Sequence, residues 1–256
     1  MANQSPTAIL IIHGAYLLPS AWHILRTDFA WSHLAVRCPR LPSCGDERPQ
    51  KATRDDDVAI VRAAAKELID GGHNILVLAH SYGGMVASEA ITEDLYANGG
   101  RKGIVSLALL SAWLIQPGES LQDVIKKYGF QCKVDLGQNE DGTVFVKNAP
   151  ESFYNDMDPD AAAELTRDLN VTYNRVAASG QITGAPWKDI PTTYIHTTRD
   201  LAIMLPLQQS MVKDAMDAGG KARFSTATID SAHCPFLSRP EAVIHVLEGV
   251  LDELSR

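Results

Sequence analysis

Between residues 75 and 91 the chain reads ILVLAHSYGGMVASEAI: an apolar run, a serine, two adjacent glycines, then a segment of small and apolar residues. Few backbones satisfy that order. A run that is apolar at successive positions belongs to a strand buried on both faces, as in a parallel sheet covered by helices. To enter a helix at once, such a strand must turn sharply. Ala79, Gly83 and Gly84 supply little or no side chain where the backbone then approaches itself. Ser81 sits at that seam, at the carboxyl end of a strand, where open α/β sheets bind their ligands.

The rest of the chain repeats the alternation. Residues 8–12, 34–37, 74–79, 104–110, 192–196 and 223–229 are aliphatic or β-branched runs that read as strands, and 20–32, 53–70, 83–97, 206–218 and 240–254 read as helices. Strand and helix alternate, so the class is α/β. Thr53 is the expected N-cap of the second helix. Asp55, Asp56 and Asp57 then lie against its positive dipole end, and Gly71-Gly72 closes it. Residues 113–187 break the rhythm: helices expected at 119–128 and 159–179 are separated by the polar stretch DLGQNEDGTVF. They read as an insertion between two strands, after the fourth, leaving 1–112 and 188–256 as the core.

The pentapeptide AHSYG is the nucleophile-elbow pattern G-x-S-x-G with alanine in the first place. That turn exposes the Ser81 hydroxyl and aims the Tyr82 backbone N–H at developing negative charge. A hydroxyl is a poor nucleophile without a base, and His233, in a short loop between the last strand and the last helix, is the best placed of eight histidines. The acid that orients it should follow an intervening strand. Asp200 fits. Asp230 would have to double back from three residues away, and Glu119 and Asp123 are more remote. A second oxyanion donor is expected from the loop IIHGAY, where Gly14 permits close approach and Ala15 offers its amide; His13 there is expected to fix the loop. Tyr82, Trp113, Leu114 and Tyr16 are the expected substrate contacts.

A length of 256 residues with 45% hydrophobic content supports a large core, and a net charge of -8 argues against a nucleic-acid or anionic-membrane surface. The first residues carry neither the basic region nor the cleavage site of a signal peptide, so a soluble cytoplasmic protein is expected. Cys38, Cys44, Cys132 and Cys234 have no zinc spacing and read as reduced thiols. No phosphate-loop, dinucleotide or H-E-x-x-H motif occurs, so no cofactor and no metal are expected.

The segments HGAY, AHSYGG, RD and SAHCPF together resemble the α/β-hydrolase fold, and more narrowly the esterase branch with plant methylesterases, hydroxynitrile lyases and their fungal and bacterial relatives. LPSCG at 41–45, SAWLIQPGESL at 111–121 and APWKDIPTTYIHTTRD at 185–200 extend the resemblance over essentially the whole chain. It implies the order Ser81, Asp200, His233, a mostly parallel six-stranded sheet flanked by helices, and a helical cap, residues 113–187, above the site. In the lyases a threonine follows the first-loop histidine and a lysine follows the catalytic histidine; this chain has Gly14 and Cys234. The resemblance therefore implies acyl chemistry on a small or medium-sized ester or lactone. Assembly as a homodimer is compatible with it. Rival readings on the same scaffold are a non-hydrolytic or carbon–carbon-cleaving biosynthetic enzyme, and a ligand-binding protein with little turnover.

Overall fold

The computed structural model describes residues 7–27, 34–48 and 50–254. The apolar runs become β1 (Thr7–Ile12), β2 (Ala35–Arg37), β3 (Asn74–His80) and β4 (Ile104–Leu110). A hairpin of β5 (Leu136–Gln138) and β6 (Val144–Val146) follows, and then β7 (Thr192–Thr197) and β8 (Phe224–Ile229). The main sheet runs β2-β1-β3-β4-β7-β8 with every neighbouring pair parallel. Its helices are α1 (His23–Thr27), α2 (Arg54–Asp70), α3 (Gly83–Ala90), α4 (Leu121–Tyr128), α5 (Ala149–Phe153), α6 (Pro159–Leu169), α7 (Leu205–Ala218), α8 (Pro235–Ser238) and α9 (Pro240–Leu254).

Successive strand residues point to opposite faces, and here both faces are covered. Leu10, Ile12 and Val77 pack toward Val61 of α2, Val86 of α3 and Met211 of α7; Ile9, Ile11, Leu76 and Leu78 pack toward Leu25 of α1 and Leu247 of α9. Each such side chain contributes ~1.5–3 kcal/mol on burial, which is why the continuous apolar runs are central strands. No described helix is long and apolar enough to cross a membrane.

Four expected elements came out differently. The helix expected over 83–97 stops at Ala90: Ile91 is extended, the Arg62 guanidinium donates to the Ala90 carbonyl at 2.8 Å, and Glu93–Leu95 forms a separate 3-10 turn. The helix expected over 159–179 stops at Leu169, because the backbone of Tyr173 is claimed by Val144 through paired hydrogen bonds of 2.9 Å. DLGQNEDGTVF, read as an irregular polar stretch, forms the hairpin, with its turn closed by Asn139 N–H to Thr143 O at 2.8 Å and Gly142 at φ 84°. The helix expected over 20–32 is a 3-10 turn (Pro19–Trp22) running into α1; 28–33, with His33, lie outside the described residues.

The sheet sets the site. From β1 the chain moves to the edge strand β2 and returns on the other side of β1 as β3, so the direction of growth reverses between β1 and β3. A crevice opens at their carboxyl ends. Gly83 lets the start of α3 press onto that point: a Cβ there would lie 2.2 Å from the carbonyl oxygen of Ile12 and 2.9 Å from that of His13. Both obstacles are backbone. Gly83→Ala is expected to destabilise the protein by at least ~2 kcal/mol, read as a lower urea midpoint at unchanged slope.

Candidate active site

Non-glycine residues in the left-handed region cost energy and need a local cause. Tyr16, Ser81 and Ser111 have φ of 66°, 53° and 37°, and they follow the adjacent strands β1, β3 and β4. The strain is gathered where the crevice opens. At Ser81 it is held by hydrogen bonds on both sides: its N–H donates to Leu110 O at 3.4 Å, and its carbonyl accepts from Gly84 N at 3.0 Å and Trp113 N at 3.1 Å. The hydroxyl takes no part in locking the turn and borders a cavity of about 660 Å³.

His233 borders the same cavity, in the loop between β8 and α8. Its Nδ1 lies 2.8 Å from Oδ2 of Asp200, and both side chains are buried. Asp200 is saturated with donors: Oδ1 accepts from Ala202 N and Ile203 N at 2.8 Å, and Oδ2 also accepts from Thr197 Oγ1 at 3.0 Å and Gln208 Nε2 at 3.3 Å. An acceptor so surrounded requires the proton on His233 Nδ1, which leaves Nε2 as the basic nitrogen. The rival carboxylates are elsewhere. Asp230 is at the surface, tied to Arg199 and Thr198, which hold its carboxyl well below the usual range. Glu119 pairs with Lys127, and Asp123 caps α4 through Ser120.

Two further histidines brace these groups. His80 Nε2 donates to the backbone carbonyl of His233 at 2.9 Å, and Ser111 Oγ donates to the same oxygen at 3.3 Å. Burial between Trp22, Phe236 and His233 pushes His80 well below the ordinary histidine range, so it acts as a neutral donor. His13 fixes the first loop: Nδ1 donates to Gly14 O at 2.8 Å, while Nε2 accepts from Leu41 N at 3.0 Å.

That arrangement tolerates no second proton on His13, and burial lowers its pKa from 6.5 to about 4. The group is depressed in the folded state, so its contribution is complete above the unfolded value and is lost as pH falls from 6.5 toward 4. By pH 5 the loss should reach ~2 kcal/mol. Urea unfolding between pH 7 and 5 should show that slope in the wild type and a flatter one in His13→Gln, whose amide can supply the same donor and acceptor.

The acidic start of α2 divides its labour. Asp56 accepts from Thr53 N at 2.8 Å, as a helix start requires. Asp57 instead turns inward, fully buried, accepting from Ser43 N at 2.9 Å, Ser43 Oγ at 2.6 Å and Tyr82 Oη at 2.8 Å. It thereby anchors the side chain that follows Ser81. Burial raises its pKa, while the three donors oppose that rise.

Of the expected contacts, Ala15, Tyr16, Tyr82 and Trp113 border the cavity with Ser81, and so do Phe130, Phe153 and Tyr173 from the 113–187 insertion. Leu114 does not. It is buried in the core on the α3 side of the sheet, while Trp113, half-buried against that same core, borders the cavity. None of the four cysteines is in a disulfide; Cys234 is buried in the core on the α9 side, where burial pushes its thiol up. Sequence reading missed His80 and Gln208. The latter had a signal: it shares the buried face of α7 with Met211, Val212 and Ala215, at helical spacing.

No group of three metal-ligating side chains is assembled among the described residues. The sequence model of the Alpha/beta hydrolase family matches residues 9–246. Probable hydrolase R7 of Phoma sp. is 30% identical over 213 residues, covering 81% of this chain and 83% of that protein. The alpha/beta hydrolase nvfD of Aspergillus novofumigatus is 27% identical, covering 96% of this chain and 97% of that protein. Among solved structures, the methylesterase MES16 of Arabidopsis superposes with a TM-score of 0.72 at 18% identity, covering 96% of this chain and 99% of that one.

Proposed function

Since this chain belongs to the alpha/beta hydrolase family, we propose that it is a serine hydrolase of small or medium-sized carboxylic esters or lactones, working through an acyl-enzyme on Ser81. The observation that carries the reading is the buried 2.8 Å pair of His233 and Asp200, whose histidine borders the same cavity as the strained Ser81. Ser81 Oγ attacks the substrate carbonyl while His233 Nε2 takes its proton. The backbone N–H groups of Ala15 and Tyr82 receive the negative charge that forms on the carbonyl oxygen. His233 then protonates the departing alkoxide, the alcohol leaves, and water repeats the sequence to release the acid. In this cycle Asp200 keeps the proton on Nδ1 and stabilises the imidazolium. It takes up no proton itself.

The cavity suits a substrate of that size. Volumes of about 300–1,000 Å³ hold drug-sized ligands, and this one is about 660 Å³, walled largely by apolar side chains beneath the 113–187 cap. Labelling with a fluorophosphonate, read by intact mass and peptide mapping, tests the nucleophile; a burst assay on a short-chain 4-nitrophenyl ester tests deacylation. One adduct, on Ser81, with steady turnover after the burst is the expected result. An unlabelled Ser81, or a burst with no turnover behind it, would overturn the hydrolase reading in favour of non-hydrolytic chemistry or simple binding.

A further inference from the structure

One end of the cavity is not apolar. Tyr173 and Arg175, the latter opening a 3-10 turn (Arg175–Ala178) capped by Asn174, both border the cavity, whereas Asn174 between them turns into the protein, donating to Ala52 O at 2.8 Å. Main-chain pairing of Tyr173 with Val144 and a bridge to Cys44 hold this stretch in place. The Tyr173 hydroxyl is buried and lies beside that of Tyr82, yet it makes no hydrogen bond of normal geometry with any described residue. Tyr82 donates to Asp57, so toward Tyr173 it can only accept, and the Tyr173 hydroxyl is not in hydrogen-bond geometry with it. A buried phenol left in that condition is costly unless a ligand or water completes it.

Arg175 supplies the charge. Among the described residues it has no ion pair, and no aspartate or glutamate borders the cavity. It is near enough to Tyr16 to act on its ionisation, and the Tyr16 ring packs edge-on against Tyr173 at 5.4 Å. The three polar groups therefore share one end of the cavity. In a protein of net charge -8, an arginine without a counter-ion at the mouth of an apolar cavity is a place for an anion. One guanidinium balances one negative charge, which suits a carboxylate better than a doubly charged phosphate.

Resting on the hydrolase reading above, we infer that Tyr173 and Arg175, beside Tyr16, form a subsite for a carboxylate, so that the preferred substrates are esters or lactones carrying a second, ionised acid group. The chain would be a half-ester hydrolase, with Ser81 acting on the ester and Tyr173 and Arg175 holding the free acid.

The kinetic test compares mono-4-nitrophenyl adipate with 4-nitrophenyl hexanoate, which match in acyl length and differ in the terminal carboxylate. A kcat/KM ratio of at least ~10 in favour of the acid is expected, falling with added salt because Arg175 is exposed. Arg175→Gln should bring the ratio close to one, Arg175→Lys should restore part of it, and Tyr173→Phe should lower it severalfold. Lys66→Gln, which removes an exposed charge on α2, should leave it unchanged. A wild-type ratio of one, or a ratio indifferent to Arg175→Gln, would overturn the subsite.

A binding measurement separates that outcome from failure of the hydrolase reading. In Ser81→Ala, Trp113 emission reports cavity occupancy by monomethyl adipate or methyl hexanoate. Tighter binding of the acid, lost with Arg175→Gln in the same background, upholds the subsite even if neither activated ester is turned over. Equal binding of the two overturns it.

Discussion

Ser81→Ala is expected to lower ester turnover by ~10⁶-fold, the scale at which a nucleophile fails when its partners remain, with an unchanged circular-dichroism spectrum. The hydroxyl makes no hydrogen bond that holds the elbow; the turn is fixed by the backbone of Leu110, Gly84 and Trp113. Removing Oγ therefore removes chemistry and little structure. Ser81→Gly separates strain from reactivity. With φ at 53°, residue 81 occupies a conformation that an L-residue adopts at a cost and glycine adopts freely. Ser81→Gly should be as inactive as Ser81→Ala and more stable than it by up to ~1 kcal/mol, the usual price of a side chain in that region. Retained esterase activity in either variant would remove Ser81 from the mechanism, and a less stable Ser81→Gly would show that the elbow is not strained.

The elbow was legible in the sequence because everything that makes it is local. Two-faced burial produces a continuous apolar run, and the turn requires small residues at fixed offsets, so residues 75–91 describe their own geometry. That His233 would border the same cavity as Ser81 followed from position alone, since it lies in the loop between a recognisable strand and a recognisable helix. What was hidden depends on partners far away in the chain. The hairpin β5–β6 has polar residues and a short span, and its stability comes from pairing with Tyr173. That same pairing ended a helix that local spacing had extended to 179. Asp57 looked like one of three equivalent helix-start acids until Ser43 and Tyr82 drew it inward.

Leu114 shows a different limit, one of phase. Trp113 and Leu114 are adjacent, yet only Trp113 borders the cavity. The composition of the segment gave no way to choose, and a tryptophan in the cavity with a leucine in the core is what the packing around Gly84 permits: a Cβ on Gly84 would meet Trp113 O at 2.3 Å. The backbone of residue 113 is thus pressed against the start of α3, and its side chain is left with the open side.

Asp200→Asn is expected to cost ~10⁴-fold in turnover, the loss seen when a triad histidine is left in the wrong tautomer, while Asp230→Asn should stay within about twofold of wild type, as an exposed ion pair of small value implies. Ala202 N and Ile203 N would keep the asparagine oxygen at the Oδ1 position, because they can only donate. The new amide nitrogen must then take the place of Oδ2, facing His233 Nδ1, Thr197 Oγ1 and Gln208 Nε2. Thr197 can turn to accept; Gln208 cannot offer its nitrogen. His233 would become the acceptor at Nδ1, carry its proton on Nε2 and be unable to receive one from Ser81. Imidazole nitrogen shifts should report that tautomer change in Asp200→Asn and its absence in Asp230→Asn, which a general loss of stability would not produce. Equal losses of turnover in the two variants, with the His233 tautomer unmoved, would mean that the buried pair at 2.8 Å does not orient the base, and the acyl-transfer mechanism would lose its acid.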